Sequence, residues 1–164
     1  MKNQIIKLIK YVIKTRRTYW FTAISKTKAR YARTTLGSLW LGVSTLLTVI
    51  CLGSVYGTVF NVTNFREYFI YLGFGLVIWT PISEAINSAP LIFSKNSNSL
   101  KNSRIQPIFF VCQEWAFQIQ SFLQAFVIVF VVFFLFSPNI ILNLGASLIH
   151  FVNLFLFIFW AQLL

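Results

Sequence analysis

Arg30-Tyr31-Ala32-Arg33-Thr34-Thr35-Leu36-Gly37-Ser38-Leu39-Trp40 divides the chain into two regions of opposite character. Ten of the fourteen Lys and Arg residues lie in positions 2–33. From Leu36 to Phe60 no residue carries a charge. About 20 apolar helical residues cross the ~30 Å hydrocarbon core of a bilayer, and Lys and Arg collect on the cytoplasmic side of such spans. The stretch therefore marks a water–membrane boundary and predicts an N-terminus on the cytoplasmic side.

The composition agrees. The chain has 164 residues, 57% hydrophobic and 10% charged, with a mean hydropathy of +0.74. Soluble domains carry about 25% charged residues, and the apolar residues here fall in long blocks. The reading is an all-α integral membrane protein: an N-terminal amphipathic interfacial helix plus four transmembrane helices. The net charge of +11 would suit nucleic acid, but the basic residues flank the spans, so anionic lipid headgroups are the better partner. Cys51 and Cys112 match no metal spacing and read as small apolar residues. The single His150 has no second ligand type nearby and is expected to hydrogen-bond within the helices. No cleavable signal-peptide pattern is present, so the chain is expected to be held by its own spans.

Residues 1–35 form the cytoplasmic basic segment. Within Met1 to Trp20, Lys7, Lys10, Lys14 and Arg17 fall on one helical side. Ile5, Leu8, Ile9, Val12, Ile13 and Trp20 fall on the other, which predicts a helix lying in the headgroup plane. Residues 36–164 form the transmembrane domain, with spans at about 36–60, 68–93, 115–136 and 140–164. Span one contains Gly53 and Gly57 at the spacing that lets helices approach closely. Span two contains Pro81, expected to kink it, and Glu84, Asn87 and Ser88 on one face. A carboxylate inside a span is costly, so Glu84 is either functional or paired with a nearby cation. In span three Gln113, Gln120 and Gln124 form a stripe. Gln120, Gln124, Glu84 and Asn87 are expected at a helix interface or channel, because lipid offers amides no partner. Between spans two and three lies a polar loop, 94–114. It is expected to hold a short helix from Ser97 to Ile105, with Lys101 and Arg104 on one face and Pro107 helping to end it. Ser137-Pro138-Asn139 reads as a tight turn before span four. Ten basic residues precede the first span, three lie in the 94–114 loop and one in the Asn61–Glu67 loop. That split puts both termini and the middle loop in the cytoplasm.

The pattern R-Y-x-x-T-x-L-G-x-L-W, carried by Arg30, Tyr31, Leu36, Gly37 and Trp40, resembles the approach to the first span of ABC-2 type permeases that export cell-surface polysaccharide. Tyr71–Trp79, Ser83–Ser88 and Lys101–Pro107 resemble later parts of the same family in order, covering most of residues 25–138. The resemblance implies six spans, of which this chain supplies the first four; the family's last two spans and external gate segment have no counterpart here. It implies a homodimeric permease in a bacterial cytoplasmic (inner) membrane, moving glycan or lipid-linked glycan of O-antigen, capsule or teichoic-acid type. It also implies two copies of a separate ABC ATPase subunit and a coupling helix in the middle loop, at Asn98, Leu100, Lys101, Arg104 and Pro107. Glu114, Gln118 and Gln124-Ala125 stand where capsule-type relatives carry an Arg and a His-Asn pair.

No G-x-x-x-x-G-K-[ST] phosphate loop occurs, so no nucleotide site, cofactor or metal is expected on this chain. With three acidic residues and one His in separate segments, membrane enzyme chemistry is not expected. The competing reading is a small stand-alone four-span protein, a flippase accessory or assembly factor.

Overall fold

The computed structural model describes residues 2–102, 105–136 and 140–163, with side chains for 6–101, 105–136 and 150–163. Arg104 and the expected Ser137-Pro138-Asn139 turn lie outside the described residues. All regular structure among the described residues is helical: α1 (Lys2–Lys14), α2 (Arg16–Tyr31), α3 (Trp40–Val59), α4 (Phe65–Ser88), α5 (Ile92–Lys95), α6 (Ser97–Asn102), α7 (Ile108–Phe136) and α8 (Ile140–Ala161). Two 3-10 turns, Gly37–Leu39 and Ala89–Leu91, lead into α3 and α5.

Three stretches are long and apolar enough to cross a membrane: Gly37–Val59, Phe65–Lys95 and Ile108–Phe136, with 23, 31 and 29 residues. α8 runs Ile140–Ala161 over 22 residues, and its side chains are described from His150 on. At 1.5 Å per residue the second and third stretches exceed 40 Å, so each must project beyond a ~30 Å hydrocarbon core.

Small residues set how the long helices meet. A Cβ on Gly53 would lie 2.7 Å from the Phe69 ring, and one on Gly57 would lie 2.6 Å from the Phe65 ring. The G-x-x-x-G pair of α3 thus receives two aromatic rings of α4, one turn apart, and the two helices run in opposite directions. Gly42 sits against Ile128 of α7, and Gly73 of α4 against Phe133. Phe74 packs on Phe126 and Phe133, with ring centroids 6.0 and 5.7 Å away. α8 joins through Phe122, which packs on Phe151 and Phe155, and through Trp115, whose indole N–H donates to the Phe155 carbonyl at 3.0 Å. Val49, Val77, Phe122, Val129 and Ile158 lie at the centre of this cluster.

The N-terminal region departs from the single helix expected over Met1–Trp20. The helix breaks at Thr15, whose hydroxyl bonds back to the Tyr11 carbonyl at 2.9 Å. A second helix then runs to Tyr31, where the sequence reading had only a lead-in. Among the described residues α2 packs extensively against α7. It does so through a second cluster in which Tyr19, Ala23, Phe109, Phe110, Cys112, Ala116 and Phe117 are buried. Ile6, Ile9 and Ile13 of α1 stay exposed, while Tyr11 and Val12 touch this cluster.

Two boundaries also differ. α7 begins at Ile108, so Ile108–Glu114 is helical where the reading placed loop. Pro107 opens α7: its carbonyl accepts from the Phe110 N–H at 3.1 Å, and a proline loses nothing where no helical N–H bond is required. The short helix α6 is described over Ser97–Asn102, and Ile105, expected as its last residue, is not helical. α4 continues through Pro81 to Ser88, and its start is fixed by Asn64, whose side chain accepts from the Glu67 N–H at 3.5 Å.

Candidate functional site

The boundary stretch folds as a knot between α2 and α3. Thr34 donates its hydroxyl to the Tyr31 carbonyl at 2.8 Å, and the Gly37 N–H donates to the Thr34 carbonyl at 3.2 Å. Gly37 has φ +55°, a left-handed conformation that glycine adopts without a Cβ penalty. The knot places Tyr31, the last residue of α2, beside Trp40, the first of α3. Leu36 is exposed, and the guanidinium of Arg30 lies over the Phe117 ring at 5.5 Å.

Tyr31 and Trp40 form one wall of a cavity of about 340 Å³ between α3, α4 and α7. From α3 it is lined by Leu41, Ser44 and Thr45, from α4 by Val77, Thr80, Pro81 and Glu84, and from α7 by Gln118, Ser121, Phe122 and Ala125. Most of the polar groups offer acceptors. Thr45 and Ser44 each donate their hydroxyl to the Leu41 carbonyl at 2.9 Å, and Thr80 donates to the Leu76 carbonyl at 2.7 Å. A hydroxyl that has given its proton to its own helix offers lone pairs to a neighbour. Glu84 adds a carboxylate. Gln118 is 2% exposed and Ser121 8% exposed, yet Gln118 Oε1 and Ser121 Oγ have no hydrogen-bond partner among the described residues. Buried polar atoms are nearly always paired, and leaving one unpaired costs roughly 1–3 kcal/mol.

The Tyr31 phenol is raised above its usual range, first by burial; the charge of Arg30 opposes this and the Glu84 carboxylate adds to it. Tyr31 therefore keeps its proton at neutral pH.

Next to this cavity α2 and α7 meet electrostatically. Lys26 pairs with Glu114, the one ion pair among the described residues, and its ammonium lies 4.7 Å from the Phe117 ring centre. Gln113 and Glu114 line a smaller pocket with Lys26 and Lys95.

The residues singled out in the sequence are thus partly brought together. Tyr31, Trp40 and Glu84 share the cavity. Asn87 is exposed and donates to Ser83 Oγ at 3.3 Å. Gln120 donates to the Trp20 carbonyl at 3.3 Å, and so faces α2. Gln124 Oε1 is buried without a partner. Asn98, Lys101 and Pro107 are exposed and Leu100 packs on the α2–α7 cluster, and none of them lines the cavity. Gln118 and Ser121 join the site only in the folded chain. With Glu114 they form a second polar stripe at i, i+4 and i+7 on α7, and that spacing is the signal that carries them. Cys51 is exposed and Cys112 buried, both free, and no group of three metal-ligating side chains occurs among the described residues.

Compared with protein-family models, with curated proteins and with solved structures, the chain finds no match. Fold and site together define an all-helical chain with three helices able to span a membrane and a polar cavity where its basic segment meets them.

Proposed function

We propose that this chain is the permease subunit of an ATP-driven exporter of the ABC-2 type. On this reading it moves cell-surface polysaccharide or lipid-linked glycan outward across a bacterial cytoplasmic membrane. It works as a homodimer with two copies of an ATPase subunit. α1 lies in the inner headgroup layer with its exposed Ile6, Ile9 and Ile13 toward the acyl chains, α8 provides the fourth span, and both ends of the chain face the cytoplasm.

The observation that carries the reading is the short helix α6, set between two membrane-length helices and exposing Asn98 and Lys101. A permease without a phosphate loop must receive its conformational change from a partner, and a polar helix joining two spans transmits a push to both. The ordered motifs from Arg30 to Pro107 support the same conclusion.

The test is co-purification of a tagged chain from its native membranes. An ABC ATPase is expected in the eluate. Lys101→Glu with Arg104→Glu is expected to cut its recovery about tenfold or more with insertion unchanged, since like charges set against each other at an interface cost several kcal/mol. An eluate without an ATPase overturns the exporter reading in favour of a stand-alone membrane protein. Undiminished recovery with the double variant overturns the role of α6.

A further inference from the structure

We propose that the cavity between α3, α4 and α7 binds a primary ammonium group, presented by the headgroup of an aminophospholipid. The proposal is independent of the exporter reading and requires only that the three long helices sit in a bilayer.

The lining selects the ligand. Ser44, Thr45 and Thr80 have spent their protons on their own helices, so they present lone pairs. Glu84 presents a carboxylate, and the buried Gln118 and Ser121 each hold an unpartnered oxygen. Such a lining favours an occupant that is positively charged and rich in N–H donors. A primary ammonium has three donors and one charge. A quaternary ammonium has the charge and no donor, so it leaves the oxygens unpaired. An anion meets the Glu84 carboxylate.

Position selects the source. The cavity is walled by Tyr31 and Trp40, at the boundary where the basic segment gives way to apolar helix, and aromatic residues of this kind gather at headgroup depth. Arg30 directly precedes Tyr31 on α2, and its guanidinium lies over the Phe117 ring, beside the cavity lining. A zwitterionic headgroup suits this boundary, its ammonium toward Glu84 in the cavity and its phosphate toward the basic segment outside it. At about 340 Å³ the cavity lies at the small end of ligand pockets, enough for a headgroup and too small for a whole lipid.

The test uses the full chain in nanodiscs containing equal amounts of phosphatidylethanolamine, phosphatidylcholine and phosphatidylglycerol, read by native mass spectrometry of retained lipid. Phosphatidylethanolamine is expected to be retained about tenfold over phosphatidylcholine, the factor for one hydrogen bond to a charged group. Glu84→Gln, and separately Ser121→Ala, should abolish that preference while thermal unfolding stays at the wild-type midpoint. Ser121→Ala removes one small group and keeps the proposal testable if Glu84→Gln fails to fold. Competition by free ethanolamine at millimolar concentration should displace the lipid; if ethanolamine binds in lipid-free detergent and no lipid is preferred, a soluble amine is the ligand and the lipid assignment falls. Equal retention of the three lipids without amine binding, preferential retention of phosphatidylglycerol, or an unchanged preference in a folded variant overturns the proposal.

Discussion

Glycine positions on the long helices divide into those that touch another helix and those that do not, and the division makes a measurable difference. A Cβ on Gly42 would lie 2.5 Å from Ile128 Cβ, 2.6 Å from its Cδ1 and 2.7 Å from its Cγ2. Ile128 is branched at Cβ and stiff at χ1, so it cannot swing aside; either α3 or α7 must shift. Gly75 on α4 has nothing within 4 Å of its Cβ position. Overpacking a tight contact costs about 1–3 kcal/mol, whereas Gly to Ala at an open helical site gains roughly 0.5–1 kcal/mol in backbone entropy. Gly42→Ala is expected to lower the thermal unfolding midpoint in detergent, and Gly75→Ala to leave it unchanged or raise it. Equal midpoints for the two variants would show that α3 and α7 do not meet at Gly42.

At the scale of elements the main finding is the docking of α2 on α7. The three long helices were legible because uninterrupted apolar runs announce themselves by length alone. α2 was not: Arg16–Tyr31 is polar, with Arg16, Arg17, Lys26, Lys28 and Arg30, and shows no marked apolar stripe. What holds it is a small cluster in which Tyr19 and Ala23 are buried with Ala116 and Phe117, together with the Lys26–Glu114 pair and the Gln120 bond to the Trp20 carbonyl. A contact made through so few apolar residues leaves almost no trace in hydropathy. The start of α7 was misplaced for a related reason, since Pro107 ends one helix or begins the next with equal ease and only the tertiary partner decides. The cavity has the same status: Glu84 could be singled out from its own span, but Gln118 and Ser121 acquire meaning only when α4 and α7 are set side by side. Ala23 is fully buried, so Ala23→Phe should lever α2 away from α7. Cys112, 2% exposed in the same cluster, reports it. In a Cys51→Ser background, maleimide labelling of Cys112 is expected to rise at least about tenfold, the factor for roughly 1.4 kcal/mol of lost docking. Unchanged labelling would mean that Ala23 does not hold the two helices together.

At the scale of the whole molecule, charge and helix direction combine into a topology. Gly53 facing Phe69 and Gly57 facing Phe65 set α3 against α4 in opposite directions, and Gly73 facing Phe133 with Glu84 and Gln118 sharing a cavity does the same for α4 and α7. The basic α2, α5 with Lys95 and α6 with Lys101 therefore gather at one end of the long helices, and Arg66 stands at the other with Glu67 beside it. Each Lys or Arg near an anionic inner leaflet contributes about 1 kcal/mol, so the inverted orientation is opposed by several kcal/mol. The expected arrangement places α6 in the cytoplasm and the α3–α4 turn outside. Single cysteines at Thr63 and Asn98, in a background lacking Cys51 and Cys112, test it. Thr63 serves better than Asn64, because Asn64 caps α4 and losing such a cap costs about 1 kcal/mol. Both positions are exposed, so a difference in labelling reports sidedness and not burial. A membrane-impermeant maleimide added to intact cells should label Thr63→Cys at once and Asn98→Cys only after the membrane is opened. The reverse pattern would invert the molecule. Labelling of both from outside would mean that α4 does not cross the membrane, and with it would fall the assignment of α6 as the surface that meets a cytoplasmic partner.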